Sequence, residues 1–249
     1  MTAIPTSGIC PLCNTQQDFI KSHIISKFNA RKMHKGKAKG DVVGVSETGT
    51  TPIKPGGHWQ HLLCKSCDHA LGNDTENMAA QIMYHADNSI LEAEDEVCIL
   101  KGVDYPSMRL YGLSTLWKMS ISSLPYFDFV SLTEEHNEKL KVAIHTRQTL
   151  DEDYPIVFST LMVGERVFSG NIRPFTASNG ERKFVILVTN GIMMQCFIEG
   201  YDTDRIIKNV KFNSSGELGI VKIQFFDIPF FADRFRKLAE ANKDLGYNV

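Results

Sequence analysis

The sequence predicts an α+β chain in three successive parts: a small cysteine-stapled module, a helical middle and a β-rich C-terminal part. Three observations predict it. Cys10-Pro-Leu-Cys13 and Cys64-Lys-Ser-Cys67 are two C-x-x-C pairs separated by fifty residues, a pattern that reads as metal knuckles. Between residues 74 and 146 apolar side chains recur at helical intervals. After Asp153 the period shortens to that of strands, and Asn190-Gly191 divides two such runs as a two-residue hairpin does.

In chain order, the first knuckle leads into Phe19-Ile20-Lys21-Ser22-His23-Ile24-Ile25, β-branched enough for a short strand. Residues 27–57 begin basic and become rich in Gly, Thr and Pro, which reads as a solvated insertion with a short hairpin around Val42–Val45. The second knuckle follows His61-Leu62-Leu63. A helix is expected from Asp74 through Ala93, capped by Asn73 or Asp74, with Met78, Ile82, Met83, Ile90 and Leu91 on its apolar face. Arg109 to Ser123 reads as a second, mostly buried helix through Leu110, Leu113, Leu116, Trp117 and Ile121. Thr133 to Thr146 reads as a third, with Thr133 as N-cap and Glu134 and Glu135 in its first turn. Strands are expected at 156–163, 166–169, 183–189, 192–199 and 220–226, and a final helix from Pro229 to Asn242. The domain boundary is placed near residue 95, giving a module at 1–95 and a second part at 96–249.

The whole chain of 249 residues is 43% apolar with a formal charge of −2, which excludes a disordered chain and a uniformly basic nucleic-acid coat. That average conceals a split. Residues 1–70 carry nine Lys/Arg against four acids, a net of +5, and the remainder carries a net of −7. No export signal and no apolar run near 20 residues is read, so a cytoplasmic protein without membrane contact is expected.

Zinc takes four soft ligands in a tetrahedron, and two C-x-x-C turns supply two thiolates each, so Cys10, Cys13, Cys64 and Cys67 are expected to hold a structural zinc. The long intervening loop is no obstacle, since closure entropy grows only logarithmically with length. Cys98 and Cys196 sit in apolar settings and read as core thiols. Trp59, beside the second knuckle, reads as a cover for the zinc site, with base stacking as the alternative.

Together, Cys10-x-x-Cys13, a strand-like run ending in His23, and Cys64-x-x-Cys67-Asp68 resemble the HNH, or ββα-metal, endonucleases in their zinc-stapled form. More narrowly, Ser22-His23-Ile24-Ile25-Ser26-Lys27-Phe28, Leu62-Leu63-Cys64-Lys65-Ser66-Cys67-Asp68 and Tyr111-Gly-Leu-Ser-Thr-Leu-Trp-Lys-Met-Ser-Ile-Ser-Ser123 resemble a branch of uncharacterised bacterial HNH-like proteins. The resemblance covers about residues 8 to 150. It implies a ββα-metal module, phosphodiester hydrolysis in DNA (RNA is the other substrate), and a role in defence against phage. His23 would be the general base and Asp68 a ligand of Mg²⁺ or Mn²⁺, with His69 assisting and Glu76 or Asn77 facing the same site. Two positions depart from the family. Ser22 stands where Asp usually precedes the base, and the residue that orients the base has only His58, Gln60 or His61 as substitutes. Lys27, Arg31, Lys32, Lys35, Lys37 and Lys39 place six positive charges in thirteen residues beside His23, a candidate phosphate contact. The acidic remainder is left for regulation, homo-oligomer assembly or docking of a protein partner. The rival reading is a catalytically silent zinc-binding adaptor for nucleic acid or protein.

Overall fold

The computed structural model describes residues 6–35, 43–46, 49–52, 56–84, 92–94, 97–202, 212 and 214–243. Lys37, Lys39, Val42, Ile90 and Leu91 therefore lie outside the described residues. Strand β1 (Ser7–Ile9) pairs with β2 (Gln16–His23) around the first knuckle. Asn14 makes that reversal with φ 58°, a left-handed conformation that asparagine tolerates. Helix α1 (Lys27–His34) follows, then a hairpin of β3 (Val43–Ser46) and β4 (Gly49–Pro52). The insertion thus contains a helix as well as the expected hairpin.

Strand β5 (Trp59–Cys64) returns antiparallel to β2, pairing Phe19 with Cys64 and His23 with Trp59. It runs directly into α2 (Lys65–Leu71), a π-helical stretch at Gly72–Glu76, and α3 (Asn77–Tyr84). The expected helix from 74 begins nine residues early, because Cys64 itself is the N-cap position and the knuckle forms the first turn. Sequence periodicity registers the apolar stripe and misses this start, since Lys65, Ser66 and Asp68 are polar.

Strand β6 (Glu92–Glu94), which puts Ala93 in a strand and not at the end of the expected helix and lies before the expected boundary near 95, pairs with β7 (Val97–Lys101). Helix α4 (Tyr105–Ile121) is capped by Asp104, whose carboxylate accepts from Ser107 N at 3.2 Å. Helix α5 (Glu134–Thr146) starts at Thr133, as expected. The remaining strands are β8 (Ile156–Val163), β9 (Arg166–Val167), β10 (Ile172–Asn179), β11 (Arg182–Thr189), β12 (Ile192–Glu199) and β13 (Glu217–Gln224), and α6 (Pro229–Lys243) closes the described chain. They form one mixed sheet in the order β10-β11-β12-β8-β13-β7-β6, with β9 beside β8 and only β8–β13 parallel. Asn190 and Gly191 turn β11 into β12 with φ of 49° and 79°, as a type I′ turn requires.

Helix α4 is the centre of the molecule, buried on nearly every side. One continuous cluster of buried apolar side chains reaches from Cys10, Leu12 and Leu63 through Leu113 and Trp117 to Phe158, Cys196 and Leu218. The cysteine module and the large sheet therefore share a core. At Gly112 a Cβ would sit 2.3 Å from Ile156 Cδ1, so the helix approaches β8 more closely than any side chain there permits. No helix among the described residues is long and apolar enough to cross a membrane.

Candidate metal centre and histidine site

The two knuckles meet at one end of the β2–β5 pair. The Sγ atoms of Cys10, Cys13, Cys64 and Cys67 all lie within 4.8 Å of one another, and Cys13 Sγ is 3.9 Å from Cys64 Sγ. Zinc–sulfur bonds of about 2.3 Å in a tetrahedron place sulfurs about 3.8 Å apart, so the spacing suits zinc and is far too long for disulfides. Cys64 N donates to Cys10 Sγ at 3.5 Å, a backbone contact that suits a bound thiolate. Burial and the neighbouring Cys64 and Cys10 sulfurs push the Cys67 thiol up, while the Thr15 hydroxyl brings Cys13 down to about 6. A dication among these sulfurs would favour all four thiolates. Among the described residues this is the one group of three or more His, Cys, Asp or Glu gathered so closely. Cys98 and Cys196 stand apart from it, Cys196 fully inside the core.

His23 lies at the other end of β2, half-buried. Its Nε2 is 3.2 Å from the Gly56 carbonyl. A carbonyl only accepts, so Nε2 carries the proton and Nδ1 is left to accept one. Burial lowers the imidazole's affinity for protons, partly offset by the Gly56 carbonyl and then by the charge of Glu76; Lys27 lowers it and Asp68 raises it in smaller measure. The net result is a neutral histidine, its Nδ1 lone pair unprotonated, with Asp68 within electrostatic reach.

Lys118 of α4 is the site residue that sequence reasoning missed. Its Nζ donates to the His23 carbonyl at 2.9 Å and to Glu76 Oε1 at 2.8 Å, with only 3% of its side chain exposed. Burial opposes ionisation of Glu76, but the charge and hydrogen bond of Lys118 outweigh it and hold the carboxyl below its usual range. The available signal was a lysine inside the apolar run Leu116-Trp117-Lys118-Met119 on a helix with no solvent face. Of Glu76 and Asn77, Glu76 is the inward one; Asn77 is exposed and donates from Nδ2 to Asn73 O.

The other expected residues separate. His69 is exposed and lines an open hollow of ≈ 560 Å³ with Gln17, Asp18, Ile20, Lys65 and Ser66, a set that does not include His23. Ser22 is fully buried and its Oγ accepts from Leu63 N at 3.2 Å, so it braces the strand pair and does not face a ligand. None of the three substitutes for the orienting residue makes a described contact with the His23 ring. His58 stacks on Tyr126 at 3.7 Å between centroids, and burial lowers its pKa to about 4. Gln60 Oε1 accepts from Ser122 Oγ at 2.8 Å and Ser123 N at 3.0 Å. His61 Nδ1 is 3.0 Å from Phe19 O. The described group in contact with the His23 ring is the Gly56 carbonyl, and a backbone group leaves no mark in sequence.

Trp59 is 38% exposed and opposite His23 in the strand register, whereas Cys64 lies five residues further along β5. That is about 17 Å of extended chain, so Trp59 does not cover the cysteine cluster. Among the basic residues, Lys27, Arg31 and Lys35 are exposed; Lys27 and Arg31 stand four apart on one side of α1, and Lys35 directly follows the helix; Lys32 lies on the same helix. Compared with protein-family models, with curated proteins and with solved structures, the chain matches none.

Proposed function

We propose that this chain is a metal-dependent endonuclease of the HNH type, hydrolysing phosphodiester bonds in DNA. The observation that carries the reading is an arrangement. An antiparallel strand pair ends in a neutral His23, the second strand runs into a helix bearing Asp68, and four cysteines staple the far end. In hydrolysis, water adds to phosphorus as His23 Nδ1 takes its proton, and the P–O bond to the leaving oxygen breaks. Asp68 offers a carboxylate to Mg²⁺ or Mn²⁺, hard cations that complete their shells with water. Such a cation would neutralise charge on the phosphate oxygens. Lys118 and the Gly56 carbonyl hold the base in place from either side. The exposed cations Lys27, Arg31 and Lys35 supply phosphate attraction, and the resemblance supplies the expectation of anti-phage defence.

A specific observation favours the second reading, a silent zinc-binding adaptor. Ser22 is turned inward and Glu76 is paired with Lys118, so of the two acids whose charge is felt at His23 among the described residues, Asp68 is the one whose side chain has no hydrogen bond or ion pair described. Incubation with supercoiled plasmid, linear DNA and RNA in Mg²⁺ or Mn²⁺ separates the two. Cleavage that requires the added cation supports the nuclease. Retention of nucleic acid without cleavage in any divalent metal supports the adaptor.

A further inference from the structure

The strand register that separates Trp59 from the cysteine cluster sets it beside His23, and this juxtaposition has a use. Residues paired across an antiparallel ladder project from the same side of the sheet. His23 and Trp59 are such a pair, and Lys21 and His61 are the next one. Lys21 Nζ lies 4.5 Å from the Trp59 ring centroid, and the His61 ring meets Trp59 edge-on at 6.1 Å. The indole is 38% open to solvent and shares this face with a lysine and two imidazoles. It cannot be explained as packing over the zinc, and the apolar core lies on the other side, where Ser22 and Gln60 are buried.

We infer that Trp59 is a stacking platform for an unpaired base, with Lys21 and Lys27 taking the adjacent phosphates, so that the substrate enters this site as a single strand. The inference deepens the nuclease reading and rests on it for the identity of the ligand as nucleic acid. The physical argument for a single strand is that an aromatic face needs the face of a base, and in a duplex both faces of each base are covered by its neighbours. A ring standing on a strand, flanked by charged side chains, is not a wedge that enters a base step as inserted apolar residues do. Lys21 is exposed, and so is Lys27, whose charge is felt at His23, so both cations are open to the phosphates of a strand laid on this face.

The chain contains two tryptophans, and the other, Trp117, is 1% exposed. Intrinsic fluorescence therefore reports on Trp59 without a label. The full-length protein, kept free of added Mg²⁺ and Mn²⁺, is titrated with a twelve-nucleotide oligothymidylate, its oligouridylate equivalent and a blunt duplex of equal length. The expected result is quenching by single strands, little change with duplex, and loss of the quenching in Trp59→Leu. Single-strand affinity, followed by the anisotropy of a labelled oligonucleotide, should fall about tenfold in Trp59→Leu and recover in part in Trp59→Phe. Single strands that bind without quenching, or a Trp59→Leu protein that binds as tightly as the parent, would overturn the platform. Equal quenching by duplex would overturn the strand preference. Because the readout is binding, quenching by a protein that never cleaves leaves the platform standing and removes the nuclease reading; cleavage without quenching does the reverse.

Discussion

His23 is held neutral by its half-burial, its proton is placed on Nε2 by a backbone carbonyl, and both facts are local. Burial disfavours the imidazolium, and a dication held by Asp68 would disfavour it further. The cleavage rate is therefore expected to rise with pH along an acid limb lying below the usual histidine value near 6.5, and to be level by neutral pH. A pH–rate profile under single turnover checks this; an acid limb centred above 7 would contradict it. His58 carries the corresponding stability effect. Its folded value, about 4, lies below the unfolded 6.5, so its contribution is fully present above 6.5 and is lost as pH falls through 4. Gly191 is a third local constraint, since with φ 79° a Cβ there would meet Phe168 O at 2.4 Å.

Helix α4 turns these local facts into a fixed geometry. Its last turn and the two residues after it reach both strands of the site: Lys118 takes the His23 carbonyl and Glu76, and Ser122 and Ser123 take Gln60. A lysine and a glutamate buried together are stabilising only as a pair, and removing one strands the other. Lys118→Met is expected to cost about 3 kcal/mol in denaturant unfolding and to lower cleavage on the order of 10²-fold through misplacement of His23. Adding Glu76→Gln should recover stability without recovering cleavage. Full activity in Lys118→Met at unchanged stability would remove this role. How far sequence reveals the fold is clear along this helix. Its existence and apolar face follow from Leu110, Leu113, Leu116 and Trp117, and the hairpin of β11 and β12 follows from Asn190-Gly191. The strand Ile172–Asn179 escapes because Pro174 and the small, mostly polar residues 176–179 break its alternation. The cysteine cluster is legible because its chemistry is carried by a spacing. Lys118 is not, because its partners are 42 and 95 residues away and one of them is a carbonyl.

Across the chain as a whole, the +5 and −7 segments are joined more tightly than their charges suggest. The core is continuous from the cysteine knuckles to the large sheet, and the β11–β12 turn docks on α1, where Asn190 Nδ2 donates to Asn29 O at 2.8 Å and Thr189 Oγ1 to Asn29 Oδ1 at 3.1 Å. The acidic part thus braces the segment that follows His23. Removal of zinc by a strong chelator is accordingly expected to lower the melting temperature of the full chain in a single transition, because binding free energy at the knuckles is folding free energy for a shared core. Two separated transitions, or an unchanged melt after proven zinc loss, would contradict this. The most direct measurement for the proposed reaction is DNA cleavage by the parent and by His23→Ala at equal zinc content, in Mg²⁺ or Mn²⁺. The account predicts cation-dependent cleavage by the parent and its loss in His23→Ala with one zinc per chain retained in both; equal cleavage by the two proteins would contradict it.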